Sequence, residues 1–438
     1  MQKENLNTAE SLWEKLLHIS FPAYLFLLIL PRMTTVREIV FWIAVFCWLM
    51  IRFRRRAVAQ IEGQEPFIPL NPVTVSLSVF MLIALTVSVT GMQPVDNLNR
   101  FKGELLTPFI LFFIAATEFR NMEKIKIPLF ALILAFAIYT LLTVIESTNY
   151  GFHYYWDKTN REQYFWLETG YWQRGAILFP VILGVCLLIK NVYLKYSLII
   201  LALIEFAIIA AYRSFAIFAG IISVLLLWLL FVKNKKYRVW MVAFISLFIV
   251  ISGMLFYIKK DNPAIKEYRE KLGKTINITG EFKSETAFSN RMPAWEAAVD
   301  IIKDSPLLGY GWGIKKFTKL VQQEKYLRNW KINKPSVYKF FTDYKDVFFP
   351  PHNLFLEIAI QSGLIGLAAF IAFIGIYVFY LIKRVLHAES EAGRNFFIII
   401  VGGVFLSFLI TNLMNNELGN VSGKILFVVL GLGMAKGD

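Results

Sequence analysis

The chain has 438 residues, of which 57% are hydrophobic, 16% aromatic and only 18% charged, with a mean hydropathy of +0.55. No soluble domain of this length hides so much apolar surface, so lipid must be the solvent for most of it. The net charge of +15 belongs to loops around that apolar mass, and two cysteines, Cys47 and Cys186, both inside apolar stretches, exclude a disulfide scaffold or a cysteine-based metal centre.

The first sixteen residues are polar and charged, and no small-residue cleavage site follows the first apolar run, so no cleavable signal is expected. Runs long enough to span a bilayer then follow at 17–31, 36–51, 72–91, 104–119, 127–146, 173–189, 196–211, 214–232, 239–258, 353–382, 395–412 and 421–435. Twelve spans is the expected count. With a cytoplasmic N-terminus, the short loops on that side carry sixteen basic residues, among them Arg52, Arg54, Arg55 and Arg56. The opposite short loops carry eight, so both termini are expected in the cytoplasm. The expected organisation is therefore nine membrane helices over 1–258, an extracytoplasmic segment over 259–351, and three more helices over 352–438. No internal repeat is visible, which speaks against the inverted-repeat design of many transporters.

Several polar residues gather on the outer side of this topology. Arg174 opens the sixth span in Tyr171-Trp-Gln-Arg-Gly175, and Arg213 lies in a tight hairpin between spans seven and eight. Arg174 could equally snorkel to lipid head groups. The aromatic-rich stretch 150–172 suits an interfacial belt or a surface on which sugar rings stack. Segment 259–351 holds 18 Lys/Arg against 11 Asp/Glu and would attract phosphorylated lipid or glycan. Within it, Arg291 precedes a helix expected over 292–302, with Pro293 in its first turn and an apolar stripe of Trp295, Ala298, Val299 and Ile302. Glycines 309, 311 and 313 follow that helix rather than a strand. They suit close backbone packing against the membrane domain better than a phosphate cradle.

The loop ends at Phe348-Phe-Pro-Pro351, a rigid lead into His352. An ionisable residue at a membrane boundary is costly unless it serves a function. Asn353 is a natural cap for the next helix. Gly363 and Gly366 would let a neighbouring helix come close. Glu357 and Glu205 lie inside spans and could orient His352 or neutralise an arginine.

His352-Asn353, nine residues, then Gly363-x-x-Gly366 resembles the signature of the bacterial O-antigen ligase and polymerase superfamily. Arg291-x-x-x-Trp295, Pro306-Leu-Leu-Gly-x-Gly-x-Gly313 and the Arg213 hairpin strengthen the resemblance. It implies an all-α, GT-C-like polytopic membrane protein with about twelve spans and a large, mainly helical periplasmic loop. The implied activity is transfer of a glycan from undecaprenyl diphosphate to an acceptor hydroxyl at the periplasmic face of the inner membrane. The acceptor is a lipid A–core sugar for a ligase, another lipid-linked repeat for a polymerase, or a different acceptor, protein included, for other bacterial glycan ligases. His352 would be the general base. Arg213, Arg291 and Arg174 would hold the diphosphate, with Asn353, Glu357 and Glu205 supporting them. No metal, cofactor or nucleic acid is required. A lipid-linked glycan transporter is the rival from another class, but it gives a base no task.

Overall fold

The computed structural model describes residues 2–62, 70–150, 171–211, 291–313, 315–343, 349–413, 415–416 and 418–435, with 223, 227, 239 and 246. Every regular element among them is helical. Among the described residues, six helices are long and apolar enough to cross a membrane, and two shorter apolar helices accompany them. Most of spans eight and nine, Arg213, most of the aromatic-rich stretch and the boundary at 258/259 lie outside the described residues.

The membrane helices begin with α1 (Gln2–Ile29), α2 (Thr34–Glu62) and α3 (Pro72–Thr90). A short α4 (Pro94–Phe101) and a π-helical turn (Lys102–Leu106) lead into α5 (Thr107–Glu118), then α6 (Met122–Tyr150), α7 (Tyr171–Leu188) and α8 (Val192–Ala211). Asn71 caps α3, accepting from the backbone N–H groups of Val73 and Thr74 at 3.0 Å each, and Pro72 opens that helix where its missing N–H costs nothing. The aromatic rings of Phe21, Phe112, Phe136 and Phe408 are fully buried in one core. Leu82, Leu134 and Phe379 are more than half exposed, as residues that face lipid should be.

Beyond the membrane bundle, α9 (Met292–Asp304), α10 (Lys316–Val321), α11 (Glu324–Asn333) and α12 (Pro335–Asp343) form a small helical cap. Its core joins Ala297, Ile301, Phe317, Trp330 and Phe341 to Ile360 of the next membrane helix. The Trp330 indole N–H and the Lys334 ammonium both donate to Asp300, at 3.0 and 2.6 Å. The apolar stripe of α9 is rotated from the one expected: Ala294, Ala297, Ala298 and Ile301 are buried and Val299 is exposed. Small residues face inward because α9 must approach both α12 and the membrane helix closely.

The chain returns to the bundle in α13 (Leu354–Leu386), followed by α14 (Glu391–Asn395), a π-helical stretch (Phe396–Gly402), α15 (Gly403–Asn412) and α16 (Val421–Leu432). α13 is two helices in one. Gly363 adopts φ +66° and ψ −174°, a conformation open essentially only to glycine. The break leaves carbonyls of the preceding turn and N–H groups of the following one without helical partners. The glycine-rich loop 305–313 supplies them. Tyr310 and Gly311 donate to the Ile360 and Gln361 carbonyls, both at 2.9 Å, and Leu364 donates to the Pro306 carbonyl at 2.7 Å. A Cβ on Gly363 would run into the Leu307 backbone. Gly363 thus serves a broken helix and a docked loop rather than the helix–helix approach expected for it. Gly366 faces α3, where Ile83 lies 3.6 Å from the position its Cβ would take.

Two polar clusters mark opposite ends of the bundle. At one end Glu118 of α5 pairs with Arg52 and Arg55 of α2 at 3.7 and 3.1 Å, and Arg55 also reaches Glu14 of α1. At the other, the Met92 N–H donates to the Tyr310 carbonyl at 3.0 Å. There Asn353 donates to the Leu413 carbonyl at 3.1 Å. The connections at 92–104, 305–319, 349–353 and 413–420 therefore share one face, where the cap sits.

Candidate active site

His352 occupies the junction between cap and bundle. Its backbone is left-handed, with φ +50°; such strain costs on the order of 1–3 kcal/mol and persists only where the surroundings fix it. They do so from both sides. Upstream, Thr318 of α10 accepts from the Phe349 N–H at 3.3 Å and donates to the Phe349 carbonyl at 3.1 Å. The Trp295 indole of α9 donates to the Pro351 carbonyl at 2.9 Å. Downstream, the Asn353 carboxamide oxygen accepts from Phe355 and Leu356 N–H groups at 3.0 and 3.1 Å, the capping role expected of it. The Phe349 ring meets the imidazole edge-on, with centroids 5.1 Å apart.

Arg291 sits at the N-cap position of α9, one turn before Trp295. The Arg-x-x-x-Trp spacing thereby has a geometric meaning: the indole clamps the residue before His352, and the guanidinium comes close enough to act on the imidazole. Burial, and then the positive charge of Arg291, hold the His352 pKa down at about 4. The imidazole is therefore neutral near pH 7. Burial also pulls Arg291 below the ordinary arginine value.

The other expected residues are distributed differently. Arg174 is buried inside the bundle, where it donates to the Ile29 carbonyl at the C-terminus of α1 at 3.0 Å. Its guanidinium also lies over the Tyr139 ring, 5.3 Å from the centroid. A cation at a helix C-terminus is well placed electrostatically, and these partners belong to α1 and α6 rather than to the elements that hold His352. Glu205 is fully buried on α8, with neither carboxylate oxygen hydrogen-bonded among the described residues. Glu357 accepts from Gln361 at 2.5 Å rather than from His352. Arg213 lies outside the described residues.

Sequence reasoning missed a second polar group on the same face. Arg100 and Glu104 are an i,i+4 pair, 3.8 Å apart, and the Trp312 indole donates to Glu104 at 3.1 Å. With Glu357, Gln361 and Lys424 they line a cavity of about 250 Å³. The available signal was Lys424, a cation within an apolar run, and the acid at Glu104 that could answer it.

The O-antigen ligase family model matches residues 197–371. A protein of Haemophilus influenzae described as uncharacterized is 22% identical over 310 residues, covering 69% of this chain and 70% of that protein. The matched family stretch holds Arg291, Trp295, the glycine-rich loop, His352, Gly363 and Gly366. Residues 197–371 are therefore similar to the O-antigen ligase family, in agreement with the resemblance carried by His352 and its glycines.

Proposed function

We propose that this protein is an O-antigen ligase that moves a glycan from undecaprenyl diphosphate to a lipid A–core sugar hydroxyl at the periplasmic face of the bacterial inner membrane. The observation that carries the reading is His352, neutral, strained and pinned by Trp295 and Asn353 beside the Arg291 cation. In the reaction the acceptor oxygen bonds to the anomeric carbon from the face opposite the diphosphate, and its proton passes to the imidazole. The bond from the anomeric carbon to the diphosphate oxygen breaks, and undecaprenyl diphosphate leaves with the electron pair. The anomeric centre inverts.

Arg291 and, outside the described residues, Arg213 would clamp the diphosphate and stabilise its growing charge; Arg174 is the third candidate. The diphosphate would also tune the base. Its negative charge offsets the Arg291 field and so raises the His352 pKa from about 4 toward working pH, where a general base is most effective. The base would thus strengthen when donor is bound. No metal or other cofactor is needed for this step, because the diphosphate is already a good leaving group.

The test is a deletion strain examined for its lipopolysaccharide. A ligase defect leaves bare core and accumulates polymer on undecaprenyl diphosphate. Single repeat units on core would instead identify a polymerase and overturn the assignment.

A further inference from the structure

The cavity between α4, the π-helical turn, α13 and α16 has no role in the chemistry above, yet it starts two residues from the general base. Leu354 lines it, and so does Glu357, five residues beyond His352. The helix itself starts at Leu354, so Leu354 and Glu357 are separated by about 4.5 Å along its axis, at 1.5 Å rise per residue. At about 250 Å³ it is smaller than pockets for drug-sized ligands, and suits about one sugar ring.

Its polar groups are incompletely satisfied. Glu104 is occupied by Trp312 and Arg100. Glu357 and Gln361, each only 2% exposed, bond to each other, and this leaves Glu357 Oε2 and Gln361 Oε1 without partners among the described residues. Asn416 Nδ2, also at the cavity, is a buried donor in the same condition. Unpaired buried polar atoms are expensive, so this cavity calls for a molecule that both donates and accepts. A phosphate would face two carboxylates, and a metal cation would face Arg100 and Lys424. A hydroxyl-bearing ring meets neither repulsion, since each hydroxyl gives one hydrogen bond and takes others.

We propose that this cavity binds one neutral sugar ring of the acceptor glycan, with Glu357, Gln361 and Asn416 taking its hydroxyls, and so determines which acceptor reaches His352. The assignment to the acceptor rests on the ligase reading, because the base must touch the acceptor's hydroxyl while the cationic Arg291 lies on the cap side.

The test uses the full-length protein in nanodiscs and saturation-transfer NMR with D-glucose, D-galactose, D-mannose and N-acetyl-D-glucosamine. Transfer to at least one of these sugars is expected, retained in His352→Ala and lost in Glu357→Gln. Gly103→Trp is the second variant. Gly103 lines the cavity, its added Cβ meets nothing within 4 Å, and the indole would fill the mouth without disturbing the fold. Saturation of none of the four sugars, as from a cavity holding water alone, would overturn the proposal. So would a signal that survives Gly103→Trp. In a transfer assay, Glu357→Gln should raise the acceptor KM roughly tenfold and leave the donor KM unchanged; a rise for the donor alone would overturn the acceptor assignment. Sugar binding is read without turnover, so an active His352→Ala protein would defeat the ligase mechanism and leave the cavity standing. An empty cavity would do the reverse.

Discussion

The two sides of the short helical segment 354–362 differ sharply in chemistry. On the cap side its N-terminus meets Arg291, Trp295 and Phe349, a cationic and aromatic surface around one neutral imidazole. On the bundle side Glu357 and Gln361 open on a cavity of carboxylates and amides, tempered by Arg100 and Lys424. One surface suits an anionic leaving group and the other a hydroxylated ring. The helix that separates them ends at Gly363, where loop 305–313 ties it to the cap through backbone hydrogen bonds. The lesson is that a broken membrane helix can hold two unlike environments a few residues apart, because the atoms released by the break anchor the loop that builds one of them.

The strongest challenge to this division is His352→Ala. It should lower glycan transfer by about 10²–10⁴-fold, the usual contribution of a general base, while leaving the cap folded; transfer onto core in a complemented deletion strain measures it. Next comes Gly363→Ala, which must place a Cβ against the Leu307 backbone at φ +66°. Strain of this kind costs about 1–3 kcal/mol before the clash is counted. A clear fall in thermal midpoint of the detergent-solubilised protein is expected, and an unchanged midpoint would show that the break is not needed.

Arg291→Ala tests the cationic side through its pH profile. A base depressed to about 4 stays deprotonated through the neutral range and is lost only as pH falls toward that value. Removing the guanidinium removes one of the two causes of the depression. The acidic limb of donor-free imidazole titration, followed by NMR, should therefore move to higher pH, though burial still holds it below the ordinary histidine value. The smallest effect belongs to Trp295→Phe. It keeps an aromatic ring but removes the bond to the Pro351 carbonyl, which contributes about 1 kcal/mol. Transfer should fall less than tenfold, and a loss as large as that of His352→Ala would mean that Trp295 does more than position the histidine.

Much of this was legible in the chain. Apolar length alone marked the helices, since a bilayer leaves few other solutions for unbroken runs of this kind. The Asn353 cap and the Pro293 start of α9 follow from local hydrogen-bonding rules and appear as expected. The His352–Gly366 spacing pointed to the family whose model matches residues 197–371.

Other features depend on partners far away in the sequence. The inward face of α9 could not be read from periodicity, because its small residues are buried for close approach and its large ones are not. Arg174 looked like an outer cation, but it turns into the bundle to meet the end of α1, 145 residues earlier, and the Tyr139 ring. Nothing local relates Glu104 to Trp312, which are separated by 208 positions, or brings either to Glu357. The sequence by itself determined where the apolar runs lie, where helices start and which histidine carries the motif, because solvation, capping and motif spacing act over a few turns. Only the tertiary structure decided what faces that histidine and what lies behind it, because charge and burial act across space and take no account of distance along the chain.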